Sequence, residues 1–417
     1  MSEWKQYKLE EVCKSIADGD HMPPPKSNKG IPFVTISNIV DNRLDFSNTH
    51  FVPLSYYDGL DDKRKPNVGD TIYSVVGTFG KPVYVKEDKP FVFQRHIAIL
   101  RPDESKVVPQ FLFYKLLSPQ FYRKADVMAV GAVQRTISLT SLRNATIQLP
   151  PLKIQSKIVD VLSSLDDKIA VNKKICENLE AQAQALFKHW FVDFAPFKDG
   201  KFVESELGLI PEGWRVERLG DMPLTVTDYV ANGSFASLKE NVKLYENVNY
   251  AYFIRNTDLK SKNFCVYVDE HSYKFLSKSK LEGGEIIISN VGDVGSVHLC
   301  PYLNKPMTLG NNIIMVKANN EYYRNFLYIL FKWNYGQALI QSIKGGSAQP
   351  KFNKTDFKSL KIIVPIESVL KKFDEVVASI FNYIGKNDEE KINLASLRDT
   401  LLPKLMSGQI KMGDVTL

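Results

Sequence analysis

Two loops rich in glycine and polar residues are separated by about half of the chain. The first is GAVQRT over residues 131–136, and the second is GGSAQPK over residues 345–351. Glutamine and arginine side chains can form paired hydrogen bonds with base edges, and arginine and lysine also bind phosphates. The loops therefore predict contact with nucleic acid, with an ordinary surface turn as the alternative interpretation. The candidate side chains are Gln134, Arg135, Gln349 and Lys351.

Further basic or amide side chains stand elsewhere in the same two parts of the chain. Each could bind a base or a phosphate, and a solvated surface role is the alternative interpretation for each. These additional candidates are Lys81, Arg95, Arg255, Lys305, Asn311 and Lys344.

A glycine pattern precedes each loop and could suggest a nucleotide site. The pattern GxxIxSxxGxxG occurs over residues 69–80 and again, 215 positions later, over residues 284–295. A dinucleotide-binding fingerprint needs its glycines to lead into a helix. Here GTFGKPVYV and GDVGSVHLC lead into strand-like sequence. The glycines therefore predict tight turns between strands, and no cofactor is expected.

The elements around these turns also occur twice. Trp4 and Trp214 open the two copies, and FVTISNI with Asn38 and YFIRNTD with Asn256 each predict a strand that runs into a polar turn. Later in each copy a strand is predicted in HIAILRP and NIIMVKA. One aromatic helix is then predicted in PQFLFYKLLSPQFYRK and one in EYYRNFLYILFKWNYGQALIQSI, with their aromatic residues packed in a core. Each copy closes with a strand, in ATIQLPP and LKIIVPI.

Each copy is followed by a long heptad pattern. After Pro151 the chain has no Gly or Pro up to Phe194, so a helix of about 40 residues would span roughly 60 Å. The same pattern recurs 215 positions later, where Asn387 matches Asn172. A polar residue repeated in a seam predicts a device that fixes helix register. The predicted coiled-coil residues are Ile158, Leu165, Asn172, Leu179, Leu186, Phe373, Ile380, Asn387, Leu394 and Leu401.

Composition and charge restrict the class of protein. The 417 residues are 44% hydrophobic and 24% charged, which is typical of a globular protein of two or three domains. Residues 1–150 hold 20 Lys and Arg against 16 Asp and Glu, and residues 196–365 hold 21 against 17. Equal basic excesses suit two modules on one polyanion. Neither a signal peptide nor an 18-residue apolar run occurs, so a cytoplasmic protein without a membrane partner is expected.

The sequence lacks several patterns that would indicate an enzyme. It contains no [DN]PP[YF] tetrapeptide for amino-group methylation and no GxxxxGK[ST] phosphate loop. A Glu-x-Lys pattern ends at Lys391, but it lies in the second heptad segment, where a solvated helix face explains it. The four cysteines form no CxxC pair, so neither a zinc site nor a disulfide framework is predicted. No catalytic, cofactor-binding or metal-binding residue is therefore assigned.

The whole chain resembles the specificity subunit of type I restriction-modification enzymes. The resemblance rests on PEGWRVERLGD, on the loops GAVQRTISLTSL and GGSAQPKFNKTDF, on LPPLKIQSKI before the first helix, and on the terminal LRDTLLPKLMSGQI. Glycine turns and heptads are individually common, and it is their duplicated order that is specific. One departure is Pro403 where the first helix has Lys188, so the second helix is expected to bend there.

The resemblance implies an α+β fold of two similar mixed α/β target recognition domains and two long helices that pair as an antiparallel coiled coil. It places the first target recognition domain at residues 1–150 and the first spacer helix at 151–195. The second domain spans 196–365, with its globular part from about 211, and the second spacer helix spans 366–417. The copies form an internal pseudo-two-fold repeat. In the antiparallel pair, Asn172 and Asn387 are expected to lie close together near the middle of the two helices.

The family likeness also implies what the chain does. Each domain would read one half of a bipartite, gapped sequence in double-stranded DNA, without catalysis by this chain. Two methyltransferase subunits would dock on the helices and methylate adenine at N6, and motor-nuclease subunits would cut unmodified DNA. Two alternatives remain at this point: a coiled-coil scaffold that binds only protein, and a stand-alone DNA methyltransferase or nuclease.

Overall fold

The computed structural model describes residues 4–19, 23–132, 134–346 and 349–411. Val133, Ser347 and Ala348, which belong to the two polar loops, lie outside the described residues. The chain divides into two compact units. Unit 1 comprises residues 1–171 and 393–417, and unit 2 comprises residues 172–392.

Unit 1 contains eleven of the described strands. They are β1 Lys5–Lys8, β2 Cys13–Asp18, β3 Ile31–Val34, β4 Ile39–Val40, β5 Arg43–Leu44, β6 His50–Val52, β7 Thr71–Ser74, β8 Pro82–Tyr84, β9 Val92–Phe93, β10 Ile97–Pro102 and β11 Thr146–Leu149. Its globular helices are α1 Leu9–Val12, α2 Leu54–Asp58, α3 Pro109–Leu117, α4 Pro119–Met128 and α5 Leu139–Asn144, with 3-10 turns at Ile36–Asn38 and Asp62–Arg64. The first long helix, α6, spans Leu152–Phe191 and continues into unit 2.

Unit 2 contains thirteen strands among the residues described. They are β12 Phe202–Ser205, β13 Gly208–Pro211, β14 Arg215–Arg218, β15 Leu224–Asp228, β16 Leu244–Tyr245, β17 Ala251–Ile254, β18 Tyr267–Val268, β19 Lys280–Leu281, β20 Ile286–Ser289, β21 Val297–Leu299, β22 Met307–Leu309, β23 Ile313–Ala318 and β24 Lys361–Val364. Its helices are α7 Phe235–Asn241, α8 Asn256–Ser261, α9 Glu270–Phe275, α10 Glu321–Lys332, α11 Asn334–Ser342 and α12 Lys354–Ser359. Three 3-10 turns lie at Ala195–Phe197, Tyr229–Asn232 and Ser277–Ser279, and the second long helix, α13, spans Glu367–Met406.

The sheets of the two units repeat one topology. A four-stranded sheet has the order β2-β10-β7-β8 in unit 1 and β15-β23-β20-β21 in unit 2. A second sheet contains a parallel pair, β3 with β9 in unit 1 and β17 with β22 in unit 2. A third, two-stranded antiparallel sheet closes each globular part. It pairs β1 with β11 in unit 1 and β14 with β24 in unit 2. The internal repeat predicted from the sequence is therefore confirmed.

The central strands are apolar on both faces because each four-stranded sheet separates two cores. In β10, Ala98 and Leu100 contribute to one cluster, and Ile97 and Ile99 contribute to another. Successive strand residues point to opposite faces, so an uninterrupted apolar run is the expected pattern for a sheet covered on both sides. The run Ile286–Ile288 in β20 divides between two clusters in the same way.

Each predicted aromatic helix is in fact two helices. The first prediction is wrong at Ser118, which has an extended backbone between α3 and α4 and whose hydroxyl accepts from the backbone N–H of Phe121. Pro119 explains this break, because a proline disfavours the helical conformation of the residue before it. The second helix breaks at Trp333, which is also extended. The prediction of packed aromatic residues is confirmed by Phe111 and Phe326, which are buried.

The segments of α6 and α13 run in opposite directions in unit 2, and an ion pair joins the two helices in unit 1. In unit 1, Arg398 donates to Asp166 at 2.8 Å. In unit 2, Cys176 lies by the carbonyl of Ile384, and Phe187 packs on Phe373 with ring centroids 6.2 Å apart. Partner numbers fall as residue numbers rise, which is the antiparallel arrangement that the family likeness implied.

The expected meeting of Asn172 with Asn387 is wrong. The buried Asn172 donates from Nδ2 to the carboxylate of Glu390 at 2.6 Å. Asn387 instead donates to the carbonyl of Tyr383 on its own helix at 2.7 Å. A charged acceptor forms a stronger hydrogen bond than a second amide, and Glu390 stands nearly one helical turn beyond Asn387. Nδ2 of the polar seam residue therefore has a different partner from the expected one, while its buried Oδ1 has no hydrogen bond within the described chain.

The heptad row follows the core only in part. Ile158 and Phe373 are almost fully buried, whereas Leu186 is half-buried and its neighbour Phe187 is 1% exposed. A straight helix drifts relative to a strict seven-residue repeat, so the buried row moves by one residue along α6. The helix α13 continues through Pro403 to Met406.

Candidate nucleic-acid interface

The first glycine turn, residues 77–80, connects β7 to β8. Gly80 donates a backbone hydrogen bond to the carbonyl of Ser74 at 3.0 Å. Gly77 and Gly80 have φ angles of 68° and 86°, in the region that favours glycine. A Cβ atom on Gly80 would also lie 2.7 Å from the ring of Tyr122. The turn therefore needs glycine both for its backbone and for its close approach to α4.

The first Gln loop, residues 131–136, is bonded to this turn. The N–H of Gly77 donates to the carbonyl of Arg135 at 2.9 Å. A Cβ atom on Gly77 would lie 3.8 Å from Nε2 of Gln134. Because Gln134 is exposed, its amide group lies at the surface beside the glycine turn. This position is compatible with the base contact predicted for it.

Arg135 is held by its own domain. Its guanidinium donates to the carboxylate of Asp126 at 2.5 Å, and also to the backbone carbonyls of Asp126 and Ala129. It lies 5.1 Å from the ring centre of Phe79, which stacks on Tyr122 at 6.0 Å with an interplanar angle of 9°. A base contact by Arg135 would have to compete with Asp126. The structure thus gives this side chain a role in fixing the loop.

The second glycine turn, residues 292–295, and the second Gln loop, residues 345–351, have the same construction. The N–H of Gly292 donates to the carbonyl of Pro350 at 2.9 Å. A Cβ atom on Gly292 would lie 3.9 Å from Nε2 of Gln349. Gln349 is exposed, so each domain presents one glutamine beside one glycine turn.

The basic residues of the two loops are not equivalent. Arg135 occupies the place of Pro350, since the carbonyl of each accepts from a turn glycine. The next position is Thr136 in the first loop and the exposed Lys351 in the second. Lys351 also pairs through its backbone with residues 291 and 345. The glutamine is therefore shared by the two loops, whereas the charged neighbour differs in position.

Arg95 and Asn311 occupy matching places just before β10 and β23. Both are exposed. Arg95 is followed by His96, and Asn311 is followed by Asn312. The backbone carbonyls of His96 and Asn312 accept from the backbone N–H groups of residues 75 and 290, which precede the two glycine turns, at 2.9 and 3.1 Å. The structure thus brings these two candidates near their respective turns, although they were not paired in the sequence.

The remaining candidates divide between the turns and other places. Lys81 is half-buried directly after the first glycine turn, and Lys344 is exposed directly before the second Gln loop. Arg255 is engaged with Asp258, which accepts from Nε at 2.9 Å and from Nη2 at 2.7 Å. Lys305 is half-buried between β21 and β22. Which of the candidates contacts DNA stays a prediction.

Asn38 and Asn256, which follow the equivalent strands β3 and β17, have different roles. Asn38 accepts from the backbone N–H of Thr35 at 2.9 Å, and Asp258 accepts from that of Arg255 at 3.0 Å. Asp258 is therefore the counterpart of Asn38. Because Asp258 accepts this backbone hydrogen bond, the side chain of Asn256 at the start of α8 can make other contacts.

Asp293 is a polar group of the second glycine turn that sequence reasoning missed. Lys260, Ser296 and Asn256 all bind its carboxylate. The hydrogen bond from Lys260 is the largest cause that lowers the pKa of Asp293, to about 2. The first turn has Thr78 at this position, and that contrast was a signal available in the sequence. The partners on α8 could not be inferred, because they lie more than 30 positions earlier.

Comparison with known proteins identifies the family of this duplicated fold. The family model for the type I restriction modification DNA specificity domain matches residues 1–181 and 211–395. The chain therefore belongs to that family. The two matches coincide with the two copies of the sheet, turn and loop described above.

Individual relatives agree with this assignment. The chain is 24% identical to the type I restriction enzyme HindI specificity subunit of Haemophilus influenzae, over 98% of this chain and 100% of the relative. It is 29% identical to the type I restriction enzyme MjaIX specificity subunit of Methanocaldococcus jannaschii, over 74% and 71%. The crystal structure of a type I restriction-modification S subunit from M. genitalium has a TM-score of 0.55 at 18% identity, covering 97% of this chain and 96% of that one. This last likeness shows the fold.

Proposed function

We propose that the chain is the DNA-recognition subunit of a type I restriction-modification complex and performs no chemistry itself. Each globular domain reads one half of a bipartite, gapped duplex sequence. The observation that carries this proposal is the repeated construction of a glycine turn with an exposed glutamine beside it, at Gly77 and Gln134 and again at Gly292 and Gln349. A repeated frame with different neighbouring side chains suits two different half-sites.

The charge distribution supports contact with a polyanion. The net charge is +7, and the basic excess is shared equally by the two recognition domains. Phosphate contacts position a protein on duplex DNA, whereas base contacts specify the sequence. Lys81, Lys344 and Lys351 lie at or next to the turns and loops, so they are suited to phosphates on either side of a read base.

The long helices carry a surface suited to protein partners. In the unit 2 part of α13, Val376 and Tyr383 are 43% and 62% exposed. They are seven residues apart, so they lie on one side of the helix. Neighbouring exposed apolar side chains suit an interaction surface. We assign it to methyltransferase subunits, two per chain, through which motor-nuclease subunits would join the complex.

The helices would also set the gap between the half-sites. α6 and α13 each contain 40 residues, which corresponds to roughly 60 Å of helix.

No described helix is long and apolar enough to cross a membrane.

The salt dependence of DNA binding tests this function. The full chain, purified with its methyltransferase partner, should bind a duplex that carries its target. The affinity should fall roughly 10³-fold or more between 50 and 200 mM salt if six or more phosphates are contacted. A complex that assembles but shows no salt-dependent affinity for duplex DNA would instead be a protein scaffold.

A further inference from the structure

The carboxylate of Asp293 is fixed through one oxygen atom. Its Oδ2 accepts from Lys260 Nζ at 2.5 Å, from Ser296 Oγ at 2.6 Å and from Asn256 Nδ2 at 3.2 Å. Two of these donors belong to α8 and the third follows the glycine turn. Three donors from two elements leave the carboxylate little freedom to rotate. The group is therefore oriented before any ligand arrives.

The other oxygen atom is not used in the same way. Among the residues that the structure describes, no hydrogen bond is donated to Oδ1 of Asp293. The side chain is 52% exposed and that of Lys260 is 47% exposed. An ionised carboxylate can accept through both oxygens. Asp293 therefore presents one oriented acceptor to solvent, next to an ammonium group with further donor capacity.

This acceptor lies on the surface already assigned to recognition. Asp293 follows Gly292, and a Cβ atom on Gly292 would lie 3.9 Å from Nε2 of Gln349. The exposed Oδ1 of Asp293 is therefore an oriented acceptor beside Gln349, and a ligand that carries a hydrogen-bond donor can bind it there.

The first domain does not contain this group. Its glycine turn has Thr78 in place of Asp293 and Lys81 in place of Ser296. The segment that matches the start of α8 follows β3, where Ile36 replaces Asn256. The first turn therefore offers a hydroxyl, which both donates and accepts, where the second offers a carboxylate that only accepts. Two domains that read different bases would differ in this way.

We propose that Asp293 and Lys260 determine specificity for one G·C base pair in the half-site read by the second domain. In the major groove, cytosine presents the N4 amino donor and guanine presents the N7 and O6 acceptors. Oδ1 of Asp293 would accept from cytosine N4, and Lys260 would donate to guanine. This inference rests on the proposed function and names the chemistry of its second half-site.

The test compares methylation motifs in cells that carry the full complex. With Asp293→Asn, the preference for G·C at one position of one half-site should fall roughly 5- to 150-fold, because an amide donor then faces the cytosine amino group. The other half-site and the gap should be unchanged. Glu282→Gln is the matched control. Glu282 forms an ion pair with Lys317 at 2.6 Å, and it precedes β20 whereas Asp293 follows it. This variant should leave the motif intact.

Two results with a folded Asp293→Asn complex would overturn the assignment. Either the methylation motif is unchanged, or the position that loses its base preference is an A·T pair. Should Asp293→Asn unfold, Lys260→Gln replaces it, and an unchanged motif with that variant is equally contrary. Failure of the proposed function is distinguishable, because it would appear in the wild-type complex as a continuous motif or none.

Discussion

Gln134 and Gln349 are the side chains that the two domains present in common. Each is exposed, and each lies beside the first glycine of its turn. Their surroundings differ, because Arg135 is bound to Asp126 whereas Lys351 is exposed. At the residue scale, the two domains therefore present a shared amide in two chemically different settings, and base recognition by this amide is a prediction.

Replacing Gln349 with Ala should relax one position of one half-site. A lost base contact costs roughly 1 to 3 kcal/mol of discrimination, and the phosphate contacts that hold the complex on DNA would persist. Competition binding of duplexes altered at single positions measures this change. Gln134→Ala is the matched variant and should affect the other half-site. Equal losses at both half-sites would indicate a general phosphate contact or a folding defect.

At the scale of elements, the C-terminal end of α13 is fixed to the first domain by a buried cation. Lys115 in α3 is 8% exposed and donates to the carbonyl of Met406 at 2.8 Å. Its ammonium lies 5.2 Å from the ring centre of Trp4. A cation at a helix C-terminus interacts favourably with the helix dipole. Burial is the largest cause of the shift that lowers the pKa of Lys115 to about 8.

The lowered pKa predicts a pH effect on stability. Between pH 8 and 10.5 the unfolded chain keeps a proton on this lysine that the folded chain releases. The free energy of unfolding should therefore rise with pH across that window, by at most on the order of 3 kcal/mol from this group. Lys115→Met should lack this rise.

Urea unfolding of both proteins from pH 7.5 to 10.5 measures the effect, and the difference between them cancels groups that titrate in both. A difference that stays constant across the window would mean that Lys115 keeps its ordinary pKa when folded.

Local patterns in the sequence predicted much of the whole molecule. The duplicated order, the 40-residue helices and the closing strands β11 and β24 all follow from periodicity and turn residues. The partner of Asn172 could not be predicted, because the choice between Asn387 and Glu390 depends on helix register and on the stronger acceptor. The site around Asp293 was missed because its partners come from a separate element.

At the scale of the molecule, we propose that two domains read separate half-sites and that the long helices set the gap. Inserting four residues after Val171 and four after Ile392 lengthens both helices at the boundaries between the compact units. Each helix gains roughly 6 Å. Because B-DNA rises about 3.4 Å per base pair, the gap should grow by about one or two base pairs.

Sequencing of methylated adenines in cells that carry the complex measures this directly. The wild-type chain should give two short sequences with an unread gap, and the lengthened chain should give the same two sequences with the wider gap. A continuous wild-type motif, or altered half-sites with an unchanged gap, would contradict the account.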